Sequence, residues 1–330
     1  MKIGKLPAEM LNKNIIGKIR VKRPEVLVHS GIGEDCSVIN FGNDCCVLSS
    51  DPITGSGSFI GRLAVNVSCN DIAASGAEPL GILVTIMAPE SCSEEDIFEL
   101  MNEINDAASI INIEVLGGHT EVTGAVNKMV VSTTAVGKGP EGGYITSSGA
   151  KRGDYIVVTK SIGLEGTSIL ASDHEKYLEG RMSRDQIENA KSYINKISVI
   201  KEGVIGGRLG VSSMHDATEG GLLGAVWEIA EASNKGFELY EDNIPVTSET
   251  RNICSIFGID PLRLLSSGMM VITAKDLAPL QDALKNQGID SSNIGRITGC
   301  SKRRVIIKGG QEINVDPPQN DELFNIKFDK

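Results

Sequence analysis

Four aspartates in this chain could hold a metal ion, and three of them stand where a predicted element begins or ends. Asp35 lies in the Gly-rich stretch GIGEDCSVI, Asp51 closes an apolar strand, and Asp216 directly precedes a strong helix. Carboxylates are the ligands that Mg²⁺ prefers, and a bound ion neutralises phosphate. Taken singly, Asp35 or Asp51 is more simply a turn residue. Their combination indicates a metal–phosphate site.

Asp71 is the most informative of the four. In a helix predicted over 62–75, Leu63, Val67 and Asp71 follow one another at intervals of four residues, so Asp71 shares a stripe with core positions. A buried carboxylate without a partner costs several kcal/mol or becomes protonated. A metal ion would remove that cost. So would a basic residue or a backbone donor, and the spacing alone leaves these readings equal.

Glycines at a predicted helix start suggest where phosphate could lie. Gly220 and Gly221 follow Asp216, and small residues at a helix N-terminus let phosphate oxygens approach backbone N–H groups. Other nucleotide signatures are missing from the sequence. There is no Walker A motif, and GSGSFIG (55–61) has Ile60 where G-x-G-x-x-G needs its last glycine. There is no G-x-S-x-G hydrolase motif either.

The carboxylates are positioned by alternating strands and helices. The stretch 31–39 is predicted to lead into a strand. Further strands are predicted at 45–50, 80–87, 113–118, 128–137, 155–159, 211–214, 268–273 and 303–308, and that at 80–87 reads as buried. The helices are predicted at 6–19, 62–75, 93–110, 181–206 and 218–233. This order predicts two α/β or α+β domains, residues 1–150 and 151–330, with the boundary near Ala150.

The net charge and the cysteine pattern limit the classes of partner and the compartment expected for this chain. The formal charge is −11, which argues against nucleic acid as a partner but not against a nucleotide with bound metal. Seven cysteines without C-x-x-C spacing favour free thiols in a reducing cytoplasm. Neither a secretory leader nor an apolar run long enough for a membrane helix is visible, so no membrane association is expected.

The order of several motifs resembles the AIR synthase superfamily, which includes AIR synthase, selenophosphate synthetase, thiamine-monophosphate kinase and the hydrogenase maturation protein HypE. The resemblance covers nearly the whole chain, and its C-terminal half looks most like HypE. Its residues are GIGEDCSVI (31–39), SSDPITG (49–55), VNVSCNDIAASGAEPLG (65–81), VLGGHTEV (115–122), SSGAKRGDYIVVTKSIGLEGTSIL (147–170), HDATEGGLLGAVWEIAEAS (215–233) and IPVTSETRNICSIFGIDPLRLLSSG (244–268).

The resemblance implies a two-domain AIR synthase-like fold that binds ATP and Mg²⁺. It implies a homodimer in which the N-terminal strands form a β-barrel spanning both subunits. Asp71 and Asp216 would be catalytic, and Asp35, Asp51, Asp71 and Asp216 would be metal ligands. The nucleotide contacts would come from Asp35, Asp51, Asn70, Gly117, Gly118, Thr120, Gly220 and Gly221. The loop 163–167 matches one near the substrate or nucleotide.

Two positions depart from the family pattern. His119 stands where relatives often have an aspartate, so either His119 itself or Glu121 would replace that ligand. HypE ends in a tail whose cysteine carries the group being dehydrated, but residues 316–330 here contain no Cys, Ser or Thr. We therefore expect a separate substrate molecule or an acceptor cysteine on a partner protein. We also expect truncation after Asp316 to leave ATP consumption intact.

The chemistry implied by the resemblance is ATP- and Mg²⁺-dependent phosphorylation of a substrate oxygen by a HypE-like enzyme that acts in the maturation of a metalloenzyme. One alternative is a small-molecule kinase of the thiamine-monophosphate kinase type. A second alternative, from another class, is a nucleotide-binding maturation partner without turnover. Consumption of ATP separates this last reading from the other two.

Overall fold

The computed structural model describes residues 6–53, 58–140, 142–318 and 320–328, and this part of the chain forms two mixed sheets covered by helices. The helices are α1 (Ala8–Asn14), α2 (Ile60–Ala74), α3 (Glu94–Ile111), α4 (Leu164–Asp173), α5 (Glu175–Leu178), α6 (Arg184–Ser192), α7 (Ile200–Leu209), α8 (Gly221–Ala232), α9 (Ser248–Phe257) and α10 (Leu277–Lys285). The strands are β1 (Val26–Val28), β2 (Ser37–Asn40), β3 (Asp44–Ile53), β4 (Glu78–Ala88), β5 (Glu114–Val122), β6 (Val130–Pro140), β7 (Tyr155–Thr159), β8 (Ser213–Asp216), β9 (Gly236–Tyr240), β10 (Met270–Ala274), β11 (Ser291–Thr298), β12 (Arg304–Lys308) and β13 (Gln311–Asn314). Residues 54–57, at the centre of the predicted loop 52–61, lie outside the described residues, as do 141, 319, 329 and 330.

The first sheet has the order β1-β2-β3-β6-β4-β5 in the described chain. Helices α2 and α3 pack on one face through a cluster that includes Val47, Val65, Ile82 and Ile104. Helix α3 begins where the sequence predicts, because Ser93 and Asp96 form a reciprocal capping box. The cluster fixes α2 directly against the sheet.

Strand β4 is buried on only one face. Ile82 and Ile86 point into the core, whereas Leu80 and Leu83 are half exposed. The predicted strand at 80–87 is present, but in the single chain its burial is limited to one face, because the helices cover one side of the sheet. The neighbouring edge strand β5 is exposed along nearly its whole length.

The second sheet has the order β13-β12-β9-β11-β7-β10-β8 among the described strands, and helices cover both of its faces. Successive side chains of β7 point to opposite faces of this sheet. Ile156 and Val158 face α8, while Val157 faces the cluster built with α10. Strand β8 lies two residues later than predicted. His215 and Asp216 therefore belong to the strand, where they pair with Val271 and Met270.

Four of the described strands were not predicted from the sequence, namely β1, β9, β11 and β13. Strand β11 reads SSNIGRIT, a polar segment without a clear period of two. Its conformation is imposed by pairing with β7 on one side and β9 on the other. None of the described helices is long and apolar enough to span a membrane.

Candidate active site

Two of the predicted aspartates meet where α2 lies against the first sheet. The Thr133 hydroxyl of β6 donates to the Ala64 carbonyl of α2 at 2.8 Å, which ties helix to sheet. Thr133 is also the register partner of Asp51 on β3. As a result Asp71 of α2 comes beside Asp51. The Ser49 hydroxyl contacts Asp71 Oδ2 and lies 3.2 Å from Asp51 Oδ2, so it links the two carboxylates.

A histidine positions the third aspartate. Nδ1 of His215 lies 2.5 Å from Asp35 Oδ1, and Nε2 lies 2.8 Å from Glu228 Oε2. Gly33 brings the Asp35 loop this close, because a Cβ there would lie 3.1 Å from the Glu228 backbone oxygen and its φ is +76°. Burial by itself would lower the pKa of His215, but the ion pairs with Asp35 and Glu228 outweigh it and raise that pKa well above its usual range.

Asp216 completes a cluster of four carboxylates, which we call the acidic cluster: Asp35, Asp51, Asp71 and Asp216. Burial raises the pKa of Asp71 well above its usual range, and the charges of Asp216, Asp51 and Asp35 raise it further. Burial, followed by the charge of Asp35, raises the pKa of Asp216 to about 7. Each group therefore opposes the ionisation of the next, so the cluster favours an added positive charge.

The residues of the acidic cluster suit a divalent cation. Asp216 is 1% exposed, and neither of its carboxylate oxygens has a hydrogen-bond partner among the described residues. No described lysine or arginine forms an ion pair with Asp51, Asp71 or Asp216. Ligand atoms of Asp35, His215 and Asp216 lie within 4.8 Å of one another. Since His215 already faces carboxylates on both sides, we assign the ligand atoms to the aspartates and not to the imidazole.

Asn70, which the sequence predicts as a nucleotide contact, is hydrogen-bonded within the chain. Its amide nitrogen donates to the Ile197 carbonyl at 2.8 Å, and its amide oxygen accepts from the Val199 N–H at 2.9 Å. The side chain is fully buried. Both ends of the amide are engaged with the chain before α7, so Asn70 holds that segment against α2, and its contact with a nucleotide stays a prediction.

The β5 residues lie away from the acidic cluster within one chain. Gly118 pairs with Val84 of β4, Val84 with Thr133 of β6, and Thr133 with Asp51 of β3. Three strand spacings of about 4.8 Å put Gly118 roughly 14 Å from Asp51. Gly117, His119, Thr120 and Glu121 share this strand, and His119 Nε2 faces Glu121 Oε2 at 3.3 Å. The described metal-ligand cluster contains neither His119 nor Glu121.

At the glycine pair that starts α8, the N–H of Gly220 already donates to a carboxylate from the same chain. The Gly220 N–H donates to Asp321 Oδ2 at 2.8 Å, and Asp321 Oδ1 accepts from Leu265 and Leu323. Gly221 is required for packing, because a Cβ there would lie 2.6 Å from the Leu264 carbonyl oxygen. Phosphate could reach Gly220 only if Asp321 moved.

Asp321 also changes the expectation for a truncated chain. Asp321 is 0% exposed and Leu323 is 8% exposed, within the cluster built by α4, α6 and α9. The Phe328 ring packs edge-on against Phe257 with ring centres 5.8 Å apart. Truncation after Asp316 would remove these contacts and should lower the stability of the fold, whereas the retention of ATP consumption stays a prediction.

Three site groups were missed in the sequence analysis. His215 and Glu228 lie within the motif at 215–233, but no role was predicted for them. A histidine directly before a proposed ligand aspartate could have indicated that it helps to orient that aspartate. Glu165 lies in the first turn of α4 and is 4% exposed, and burial raises its pKa to about 7. Only the packing of α4 against the turn at Ser267 shows that this carboxyl is buried, since one glutamate in a helix is usually solvated.

The two mixed sheets covered by helices define an α/β protein of two halves, and family models match each half. The model described as AIR synthase related protein, N-terminal domain, matches residues 33–138, and that for the C-terminal domain matches residues 151–308. The chain belongs to the AIR synthase related protein family.

Relatives within this family are hydrogenase maturation proteins. A putative hydrogenase expression/formation protein of Methanocaldococcus jannaschii is 32% identical over 281 residues, which are 82% of this chain and 80% of that one. Carbamoyl dehydratase HypE of Escherichia coli is 27% identical over 87% of this chain and 84% of its own.

Solved structures share the fold. HypE in complex with ATP superposes with a TM-score of 0.68 at 20% identity, over 96% of this chain and 94% of that one. Thiamine monophosphate kinase of Aquifex aeolicus has a TM-score of 0.67 at 18% identity, over 85% and 92%. At these identities the likeness concerns the fold.

Proposed function

We propose that the protein binds ATP with Mg²⁺ and transfers the γ-phosphoryl group to an oxygen of its substrate, as a HypE-like enzyme in hydrogenase maturation. The observation that carries the proposal is the acidic cluster, in which Asp216 has two buried and unpartnered carboxylate oxygens. The relatives named for hydrogenase formation and the fold shared with an ATP complex support it.

The chain's own residues would act on phosphate through charge and orientation. Mg²⁺, when bound, would neutralise phosphate charge and draw electron density from the transferred phosphorus. Asp71 and Asp216 would bind the ion, with Ser49 fixing the orientation of Asp71 and Asp51. Asp35 would be held towards the site by His215. Burial of the cluster lowers the local dielectric, which strengthens these interactions.

Bond changes limit the possible products. The substrate oxygen would form a bond to the γ-phosphorus while the bond to ADP breaks, and the oxygen's proton would leave to solvent or a base. If the substrate later loses this oxygen, ADP and free phosphate are released. If the phosphate stays on the substrate, the enzyme is a small-molecule kinase.

Product analysis tests these alternatives. Purified protein is incubated with MgATP and extracts of candidate substrates, and nucleotide and phosphate are quantified. ADP with free phosphate supports activation followed by release. ADP with a phosphorylated small molecule supports the kinase. Binding of MgATP without turnover for any substrate supports the non-catalytic partner and contradicts the main proposal.

Assembly and location follow from the same proposal. We propose a cytoplasmic homodimer whose β-barrel joins the two first sheets, since Leu80, Leu83 and Leu116 leave an apolar, solvent-facing surface in the single chain. Light scattering should then give about twice the chain mass of 35.1 kDa. A monomer at micromolar concentration would contradict the barrel.

A further inference from the structure

The N-terminal segment is a basic and apolar arm without a docking surface in its own chain. We call residues 6–23 the arm. It carries five basic side chains and one acidic side chain, in a chain whose net charge is −11. Helix α1 has no buried residue, and Ile15, Ile19 and Val21 are 52%, 52% and 78% exposed. In the described part of the chain, the backbone hydrogen bonds between residues outside regular elements join residues 7–19 only to other residues of the arm.

The outer face of α3 has the complementary chemistry. Helix α3 contains six acidic residues and no lysine or arginine. Glu95, Glu99 and Asp106 lie on its solvent side, together with Phe98 (60% exposed) and Ile110 (74% exposed). No described basic residue forms an ion pair with these three carboxylates. This face therefore combines uncompensated negative charge with large exposed apolar side chains.

The arm and helix α3 of one chain are connected to strands at opposite edges of the first sheet. The arm leads into β1, at one edge of the first sheet, whereas α3 connects β4 with β5 at the opposite edge. Five strand spacings of about 4.8 Å correspond to roughly 24 Å. The arm would have to cross the sheet to reach its own α3, which favours an α3 helix on another molecule.

We propose that the arm docks on the acidic face of α3 in a second copy of this chain, with Lys18, Arg20 and Lys22 opposite Glu95, Glu99 and Asp106. The exposed isoleucines of the arm then cover Phe98 and Ile110. Because two copies are equivalent, each arm binds the other's helix and the contact is made twice. The proposal concerns assembly and is independent of the proposed phosphoryl transfer.

Zero-length coupling with a carbodiimide tests the arrangement, since it joins lysine to aspartate or glutamate only in direct contact. An equimolar mixture of ¹⁴N- and ¹⁵N-labelled full-length protein is coupled and analysed by mass spectrometry. We expect arm–α3 peptide pairs of mixed isotope, and their yield should fall severalfold in 1 M salt, where the Debye length is about 3 Å. Arm–α3 pairs without any of mixed isotope, pairs to another surface or an uncoupled arm would each overturn the proposal.

Charge reversal gives a second, independent measurement. Variant one carries Lys18→Glu, Arg20→Glu and Lys22→Glu, and variant two carries Glu95→Lys, Glu99→Lys and Asp106→Lys. Each alone should lower the coupling yield about tenfold, and mixing the two should restore it between unlike copies. Lys275→Glu with Lys285→Glu, exposed around α10, is the matched control and should leave the yield unchanged. If the mixture stays uncoupled while both variants are folded, the pairing is wrong.

Discussion

Nδ1 of His215 lies 2.5 Å from Asp35 Oδ1, which ties a residue of the second sheet to the Gly-rich loop between β1 and β2 of the first. Glu228 holds the other ring nitrogen at 2.8 Å. The orientation of one proposed metal ligand, Asp35, thus depends on a glutamate that lies on helix α8 and in neither sheet. Partners behind a ligand commonly change metal affinity by about 10- to 100-fold.

Glu228→Gln should therefore weaken Mg²⁺-dependent nucleotide binding about tenfold, and Glu228→Ala should weaken it more. The glutamine still accepts a hydrogen bond but no longer carries the charge that keeps His215 protonated. Titration calorimetry with MgATP measures the change. Glu231→Gln, on the same helix but paired with Arg304, is the control and should bind like the parent. Unchanged affinity in a folded Glu228→Ala variant would show that the contact is only structural.

Asp71→Asn should abolish stabilisation by MgATP while raising the thermal stability of the protein without metal. The substitution keeps the size of the side chain but removes one of the charges that repel each other in the acidic cluster. For the parent, ligand at 100 times Kd adds about 2.7 kcal/mol to the free energy of unfolding. Thermal melts with and without MgATP measure both effects. Asp282→Asn, exposed on α10, should retain the ligand-induced rise, and an equal rise in Asp71→Asn would refute the metal assignment.

Glu165 should make stability depend on pH. Burial, with the charges of Asp321 and Asp216, raises its pKa from 4.5 to about 7. The folded state then binds the proton more tightly than the unfolded state, so this contribution is present below about pH 4.5 and is lost as pH rises through about 7. Relative to the parent, Glu165→Gln should gain about 2–3 kcal/mol between pH 4.5 and pH 8.

Urea unfolding of both proteins across that range, without divalent metal, checks the Glu165 prediction. Glu179→Gln, an exposed position just after α5, should follow the parent at every pH. A stability difference between Glu165→Gln and the parent that does not vary with pH would mean that the carboxyl stays ionised in the folded state.

Asn70→Ala should destabilise the protein by about 2–4 kcal/mol, because it leaves the Ile197 carbonyl and the Val199 N–H buried without partners. Chemical unfolding gives the free energy directly. Asn286→Ala, at an exposed helix end, should cost much less. If Asn70→Ala kept its stability but lost nucleotide affinity, the amide would be a ligand contact after all.

Asp321→Ala should cost about 2–4 kcal/mol, since it leaves three backbone N–H donors at Gly220, Leu265 and Leu323 without their acceptor. Asp316→Ala, exposed a few residues earlier, is the comparison and should be nearly neutral. Urea midpoints of the two variants decide the matter. Equal midpoints would mean that the C-terminal segment contributes little to the fold.

The sequence by itself determined the local features that depend on spacing and side-chain type. Apolar periodicity placed α2, α3 and α8 close to their observed bounds, and Ser93 marked the start of α3. The step of four residues from Leu63 to Asp71 predicted a buried carboxylate, and Asp71 is 8% exposed. These properties follow from the helix repeat, which is written into the order of the residues.

Only the tertiary structure decided which groups meet. Strand β11 has a polar sequence and becomes a strand because two neighbours supply its hydrogen bonds. Asn70 was separated from its partners by more than 120 residues, and Asp321 from Gly220 by 101, so no local pattern could pair them. The packing of α8 against the Gly33 loop brought Glu228, His215 and Asp35 into line. Contacts of this kind depend on how the sheets and helices pack, because the distance along the chain carries no information about them.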